Sequence, residues 1–403
     1  MSSDTDEQKF RDDQAVANFR RYLRTPAVHP NPNYADTVKF LVEQAEEIGL
    51  QHRTYEYFAG KPVLVLTWIG QEPQLQSVLF NNHMDVVPVD EKEWLHKPFD
   101  AVIDENGDIH GRGAQDMRST SIQYLEAIRR LKKDGVKPRR TVHVVFMPDE
   151  EIGGFHGMVA FAASADFKSL NVGFAVDEAF PNEDDVFNIA NAEKTTWQFR
   201  VHCSGQPGHG SQLYDDTAGE KVEFVLDKFY GYRKAMVEKI QDQRAEESDV
   251  ISINLTQIQG GVQANVIPDE LVLTFDCRLP VHTDVEEWEV TLMKWCKEAG
   301  EGVWIEYMQK NPLSAVTKLD ETNQYWVAFK KAAEKMNLKL KVKTLIGVTD
   351  IRHVRALGIP AIGFSALYNT PNLEHKDNEF LNINIFLKGI QIYYNLMPAI
   401  ANA

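Results

Sequence analysis

The stretch Thr141-Val142-His143-Val144-Val145-Phe146-Met147-Pro148-Asp149-Glu150-Glu151-Ile152-Gly153-Gly154 decides how this chain is read. Its first half, 141–147, is a short apolar run that reads as a buried strand. A proline then ends it, three acids follow, and two glycines close the turn. Three adjacent carboxylates repel one another, and a dication would neutralise part of that charge. One glutamate of the pair Glu150-Glu151 then binds metal while its neighbour stays free as a base. A solvated acidic turn closed by glycines is the plainer reading of the same residues.

The pattern of strand followed by ligand-type residues recurs along the chain. His83-Met84-Asp85 follows Val78-Leu79-Phe80, and Asp177-Glu178 follows Gly173-Phe174-Ala175-Val176. His375, in Glu374-His375-Lys376-Asp377, lies in a loop after Ile362-Gly363-Phe364. Strand ends on one edge of an open sheet are where such residues meet. A ligating imidazole needs its second nitrogen fixed, and Asp85 is placed to orient His83. Asp116 ends Gly111-Arg112-Gly113-Ala114-Gln115-Asp116 and opens a helix over 117–133. Alone it reads as an N-cap. The glycines before it permit close backbone approach, which suits a bridging carboxylate. Imidazole and carboxylate donors without cysteine favour Zn²⁺, with Co²⁺ or Mn²⁺ able to substitute. Two such ions side by side polarise a carbonyl and activate water for hydrolysis.

Around these clusters the spacing predicts helices over 7–25 and 34–48, and strands at 62–69, 77–82 and 172–176. A further helix is expected near 157–165. Strands alternating with helices imply an α/β core with a largely parallel sheet. Near 192 the pattern changes. Segments 194–202, 249–259 and 270–278 alternate apolar and polar, as strands with one solvated face do. Helices at 217–242 and 284–299 and a strand at 302–308 complete a ferredoxin-like α+β layer. The α/β pattern resumes after Asn311-Pro312 with a helix at 321–336, a strand at 339–345, a helix at 350–356, a strand at 360–364 and a helix at 383–398. The expected organisation is a discontinuous metal-binding domain, 1–191 and 312–403, interrupted by an inserted domain, 192–311.

Composition narrows the partners. A net charge of −16 over 403 residues makes nucleic acid and anionic membranes poor partners. No apolar run is long enough to span a bilayer, and the polar start Met1–Glu7 shows no secretory pattern. Cys203, Cys277 and Cys296 are far apart and odd in number, so they read as reduced core residues of a cytoplasmic protein. His143, inside the strand, reads as a core histidine. His156 fits a loop, and His202 an alternating strand.

Taken in order, Asn82–Pro88, Gly111–Met117, Pro148–Gly154, Pro207-Gly208-His209-Gly210-Ser211, Asn265-Val266-Ile267-Pro268 and Gly347–Arg352 resemble the motifs of the M20 family of zinc-dependent peptidases and deacylases, and most of all its aminoacylase branch. The resemblance covers nearly the whole chain. It implies a zinc-exopeptidase-like catalytic domain with a mixed, largely parallel sheet and an inserted ferredoxin-like dimerisation domain. It implies two zinc ions per chain, one held by His83, Asp116 and Glu178, the other by Asp116, Glu151 and His375. Glu150 would be the general base, and Asp85 would orient His83. His209 would reach the partner chain's site in a homodimer, Asn265 would contact substrate, and Arg278 would grip its carboxylate. A cis peptide at Asp116–Met117 is also implied. The implied reaction is hydrolysis of N-acyl-L-amino acids to a free L-amino acid and a carboxylate. A dipeptidase or carboxypeptidase of the same family is the alternative, and a non-catalytic dimeric binding protein the alternative of another class. Lys376 departs from the family pattern beside the last ligand, which bears on substrate preference.

Overall fold

The protein is seen here as a computed structural model that describes residues 2–403; Met1, the head of the acidic start, lies outside them. The chain forms two compact units. One comprises the residues up to Asn191 with Thr317–Lys343 and Thr349–Ala403, the other Ala192–Val316 with Thr344–Val348.

The first unit rests on strands buried on both faces. Every residue of Ser77–His83 and of Val142–Met147 is buried. Val78, Phe80, Val144, Phe146, Phe174 and Val176 enter one core. The intervening Leu79, Val145, Met147 and Ala175 enter a second. That period of two means each face needs its own cover. Helices Ser2–Leu23, Ala35–Ile48, Arg118–Lys133, Gln324–Lys335 and Ile383–Ala401 cover the first. Met158, Phe161, Phe167, Ile351 and Val354 cover the second. Each fully buried Phe or Leu contributes roughly 1.5–3 kcal/mol.

Eight strands lie in the order Gln51–Phe58, Lys61–Trp68, Val142–Met147, Ser77–His83, Val172–Asp177, Ala361–Gly363, Val186–Glu193, Lys339–Leu345. The four central strands, Val142–Met147 to Ala361–Gly363, are mutually parallel. The strands flanking them pair antiparallel. The parallel centre therefore sends its carboxyl ends to one edge, with His83 opposite Met147 and Gly363 opposite Asp177.

Three details differ from the sequence reading. The edge strand Gln51–Phe58 is polar and largely exposed, so no apolar run announced it. Val186–Glu193 belongs to the main sheet although the pattern there seemed only to be changing. The helix expected near 157–165 is instead three short turns, Phe155–Val159, Ala160–Ala162 and Ala165–Ser169. Gly157 breaks it at φ −107°, ψ −107°. Any Cβ there would lie 2.2 Å from the Pro148 carbonyl oxygen.

In the second unit four antiparallel strands lie in the order Ser252–Gly260, Glu270–Leu279, Thr195–Ser204, Val303–Lys310. Helices Ala218–Gln241 and Val285–Glu298 follow the first and third strands in sequence. This is the ferredoxin-like arrangement. Phe199, Val201, Phe275, Phe229 and Trp288 share its core, along with all three cysteines, which are unpaired. Among the described residues no helix is long and apolar enough to cross a membrane.

Candidate metal centre

The edge at the carboxyl ends of the central strands gathers five side chains from five separate places in the chain. His83 ends its strand, and Glu178 follows Asp177 directly. Glu151 sits on the turn after Met147, Asp116 stands before the helix Arg118–Lys133, and His375 comes from the loop after Ala361–Gly363. His83 Nε2 is 2.8 Å from Asp116 Oδ1 and 3.7 Å from Glu178 Oε1. His375 Nε2 is 3.0 Å from both Asp116 Oδ2 and Glu151 Oε2. His83, Asp116 and Glu178 thus bring one donor atom each within 4.8 Å of one another, as do Asp116, Glu151 and His375. Asp116 spends one oxygen on each group. The helix is N-capped at Met117, with no side-chain cap bond, so the capping reading of Asp116 does not hold. The Asp116–Met117 peptide is cis.

The charge balance is that of a cation site. Asp116, Glu150, Glu151, Glu178 and Glu374 face only two imidazoles. Burial, together with neighbouring carboxylates, pushes Glu150 and Glu178 well above the usual range. Burial and the charge of Asp116 raise Glu151 to about 7. Burial would raise Asp116 too, but the hydrogen bonds from His375 and His83 hold it well below the usual range. The same bonds, to Asp116 first and then Glu151, raise His375 to about 10. Glu151 also keeps Oε1 buried without a hydrogen-bond partner. Oxygen and imidazole donors in this excess fit two divalent ions better than they fit protons.

Asp85 does not orient His83 through its carboxylate. His83 Nδ1 donates to the Asp85 backbone carbonyl at 3.0 Å, and the carboxylate stands 3.7 Å away. Those oxygens have other partners. Oδ1 accepts the Glu150 N–H at 3.2 Å, and Oδ2 accepts the Glu151 N–H at 3.1 Å and His29 Nε2–H at 2.8 Å.

Several supports escaped the sequence reading. Glu379 is fully buried and accepts from Arg112 (2.8 Å) and from the N–H groups of Gly113 (3.0 Å), Gln115 (2.6 Å) and Asp116 (3.3 Å). It shapes the loop carrying Asp116, where Gly113 takes φ 91°, a conformation that needs glycine. Asp149, also fully buried, accepts from Lys61 (2.7 Å), Tyr34 (2.7 Å) and His156 (2.9 Å). Only the acid-rich composition of 149–151 and 374–379 signalled these positions; their partners lie up to 267 residues away. Lys376 turns its Nζ to the Asn372 carbonyl within its own loop, at 2.9 Å.

The remaining candidates lie in the second unit. Gly208-His209 pairs with Val266-Ile267 as a two-stranded ribbon. His209 and Asn265 are exposed there, and the Asn265 carbonyl accepts the Gly210 N–H at 2.9 Å. His209 Nδ1 accepts from the Ser211 hydroxyl at 2.8 Å. Arg278 donates to both Asp276 oxygens, at 2.7 and 3.1 Å, and to Thr196 at 2.9 Å.

The sequence profile of peptidase family M20/M25/M40 matches residues 79–399. The chain is 44% identical to aminoacylase-1A of Rattus norvegicus over 389 residues, 96% of this chain and 95% of the relative. It is 43% identical to aminoacylase-1 of Homo sapiens with the same coverage of both chains. Among solved structures, it resembles an M20 family metallo-carboxypeptidase from Sulfolobus solfataricus, with TM-score 0.72, 18% identity and coverage of 96% and 99%. It also resembles a dinuclear metal-binding M20 peptidase from Bacillus subtilis, with TM-score 0.64, 14% identity and coverage of 98% of each chain.

Proposed function

The chain belongs to peptidase family M20/M25/M40, and from that premise we propose that it is a zinc-dependent amidohydrolase converting N-acyl-L-amino acids to an L-amino acid and a carboxylate. One observation carries the reading. Two ligand groups share Asp116, with the acidic Glu150 beside them, in a chain that is 44% identical to an aminoacylase over nearly its full length.

His83, Asp116 and Glu178 would hold one zinc ion, and Asp116, Glu151 and His375 the other, with Co²⁺ or Mn²⁺ as substitutes. Bound there, the two ions would acidify water and polarise the amide carbonyl. Glu150 is buried beside the two ligand groups and belongs to neither. It takes the proton of the attacking water on a carboxylate oxygen and returns it to the leaving nitrogen. His209 donates a hydrogen bond to the oxyanion of the tetrahedral adduct. In this reading His209 comes from the partner of a homodimer joined through the second unit. Asn265, on the same ribbon, contacts the substrate, and Arg278 pairs with its carboxylate. Three buried, unpaired cysteines suit a reducing compartment, so we place the enzyme in the cytoplasm.

The test is turnover of N-acetyl-L-methionine and of a methionine dipeptide by the same zinc-loaded protein, with bound metal counted. Two zinc ions per chain, loss of activity to chelator, recovery with Zn²⁺ or Co²⁺, and preference for the N-acetyl substrate are expected. Preference for the dipeptide makes it a dipeptidase. Full activity after complete metal removal overturns the two-metal reading.

A further inference from the structure

His29, Asp85 and Asp149 lie buried together behind the metal ligands, with one donor atom of each within 4.8 Å of the others. A third cation is one reading of such a group. Lys61 argues against it, because its ammonium already sits 2.7 Å from Asp149. Asp149 is also bonded to Tyr34 and His156, so its charge is satisfied without an ion. The group is better understood as a support for the turn that carries Glu150 and Glu151.

Asp85 is the hub of that support. Its backbone carbonyl fixes His83, and its two carboxylate oxygens take the N–H groups of Glu150 and Glu151. A carboxylate in that role must not rotate. The His29 side chain, 5% exposed, closes it by donating Nε2–H to Oδ2 at 2.8 Å. His29 is itself held. Its N–H donates to the Val86 carbonyl, Val86 N–H donates to the Ala27 carbonyl, and Val28 bridges Val86. The segment before His29 is therefore stitched to the residue after Asp85. His29 Nδ1 is buried without a hydrogen-bond partner, so the ring's polar contact is the one to Asp85. Burial raises the Asp85 carboxyl, but the imidazoles beside it, His29 first, hold it well below the usual range and keep it an acceptor.

We infer that His29 is a positioning residue for the hydrolysis proposed above: through Asp85 it fixes the backbone of Glu150 and Glu151, and so the placement of the base against the second ligand group. The inference rests on that functional reading for its effect on turnover. Its geometric core stands apart, because the bonds run entirely between groups of this chain.

The test compares H29L, which removes the donor, with H29Q, whose amide N–H reaches for the same oxygen. Amide hydrogen exchange at Glu150 and Glu151 is followed by mass spectrometry in metal-free and zinc-loaded protein, alongside kcat, KM and bound zinc. In H29L exchange at those two amides should rise at least tenfold in both forms, with the central strands unchanged. kcat on N-acetyl-L-methionine should fall about tenfold or more while KM stays within twofold. H29Q should restore both readouts to within about threefold. If H29L does not fold, H29N, whose amide stops short of Asp85, carries the same comparison. Unchanged exchange in H29L overturns the inference, and so does a H29Q no better than H29L. If the parent protein fails to hydrolyse N-acyl amino acids at all, the functional reading falls while the exchange result still decides His29.

Discussion

The edge of the main sheet and the small ribbon of the second unit both carry candidate site residues, but they are held differently. His83, Asp116, Glu151 and Glu178 are at most slightly exposed, and each meets another member of the cluster. Behind them stand Asp85, Asp149 and Glu379, all fully enclosed and multiply bonded. His209 and Asn265 sit in the open, on a ribbon of two residue pairs, and their side chains bond only near neighbours in sequence. The first arrangement costs a great deal of buried charge and is stable only with the charge neutralised. The second buries little charge. A preorganised metal cluster needs the former. A group that must meet a substrate arriving from solution is served by the latter.

Four tests, using five substitutions, break or sharpen this contrast. The largest effect is expected in the buried cluster. E150Q should lower kcat by about 10²–10⁴-fold, as loss of a general base does, with both metals kept. E151Q should lose metal as well. Near-normal kcat in E150Q removes the base assignment. Next comes the ribbon. H209A should lower kcat by about 10²–10³-fold through lost oxyanion stabilisation, with metal content and melting temperature unchanged. Mixing H209A with E150Q under subunit exchange should recover activity, since one site of the heterodimer then has both groups. Absence of recovery, with exchange verified independently, confines His209 to its own chain or removes it from catalysis.

The third test, H143Q, probes the sheet itself. Burial depresses His143 to about 4, against ~6.5 in an unfolded chain. The unfolded state binds the proton first, so this contribution is complete above about pH 6.5 and is lost toward pH 4, by roughly 3 kcal/mol. His353 is depressed to about 4 in the same way. The acid-side fall in melting temperature of the metal-free protein should therefore be shallower in H143Q but not abolished. A slope equal to the parent's shows that His143 is protonated in the fold. The smallest effect is expected at Arg278. R278K should raise KM for N-acetyl-L-methionine about tenfold, the loss of a bidentate ion pair, and leave its carboxamide analogue unaffected. Equal weakening of both substrates assigns Arg278 to Asp276 and Thr196 instead.

What the sequence disclosed follows from burial. Strands 77–82, 141–147 and 172–176 are covered on both faces and stand out as unbroken apolar runs. The ligands at their ends were legible for the same reason. Gln51–Phe58 was not, because an edge strand whose side chains face water carries no such run. Gly157 looked like one more residue of a helix. Only the nearby Pro148 carbonyl, nine residues back, explains why the helix stops. His29, Asp149 and Glu379 were invisible as supports, since their partners, His156 of Asp149 aside, lie 56 to 267 residues distant. The resemblance to a family supplied roles that spacing alone left open, such as which of Glu150 and Glu151 is the ligand. It also implied that Asp85 orients His83, and the hydrogen bond between them runs through the Asp85 backbone carbonyl.

Glu379 also bears on when the protein becomes active during its synthesis. The loop that presents Asp116 is folded around an acceptor 263 residues further along. On the ribosome, a nascent chain carries Asp116 long before it carries that acceptor. Until Glu379 has emerged, the N–H groups of Gly113, Gln115 and Asp116 lack that acceptor, and a chain truncated ahead of it lacks the bonds that shape the Asp116 loop.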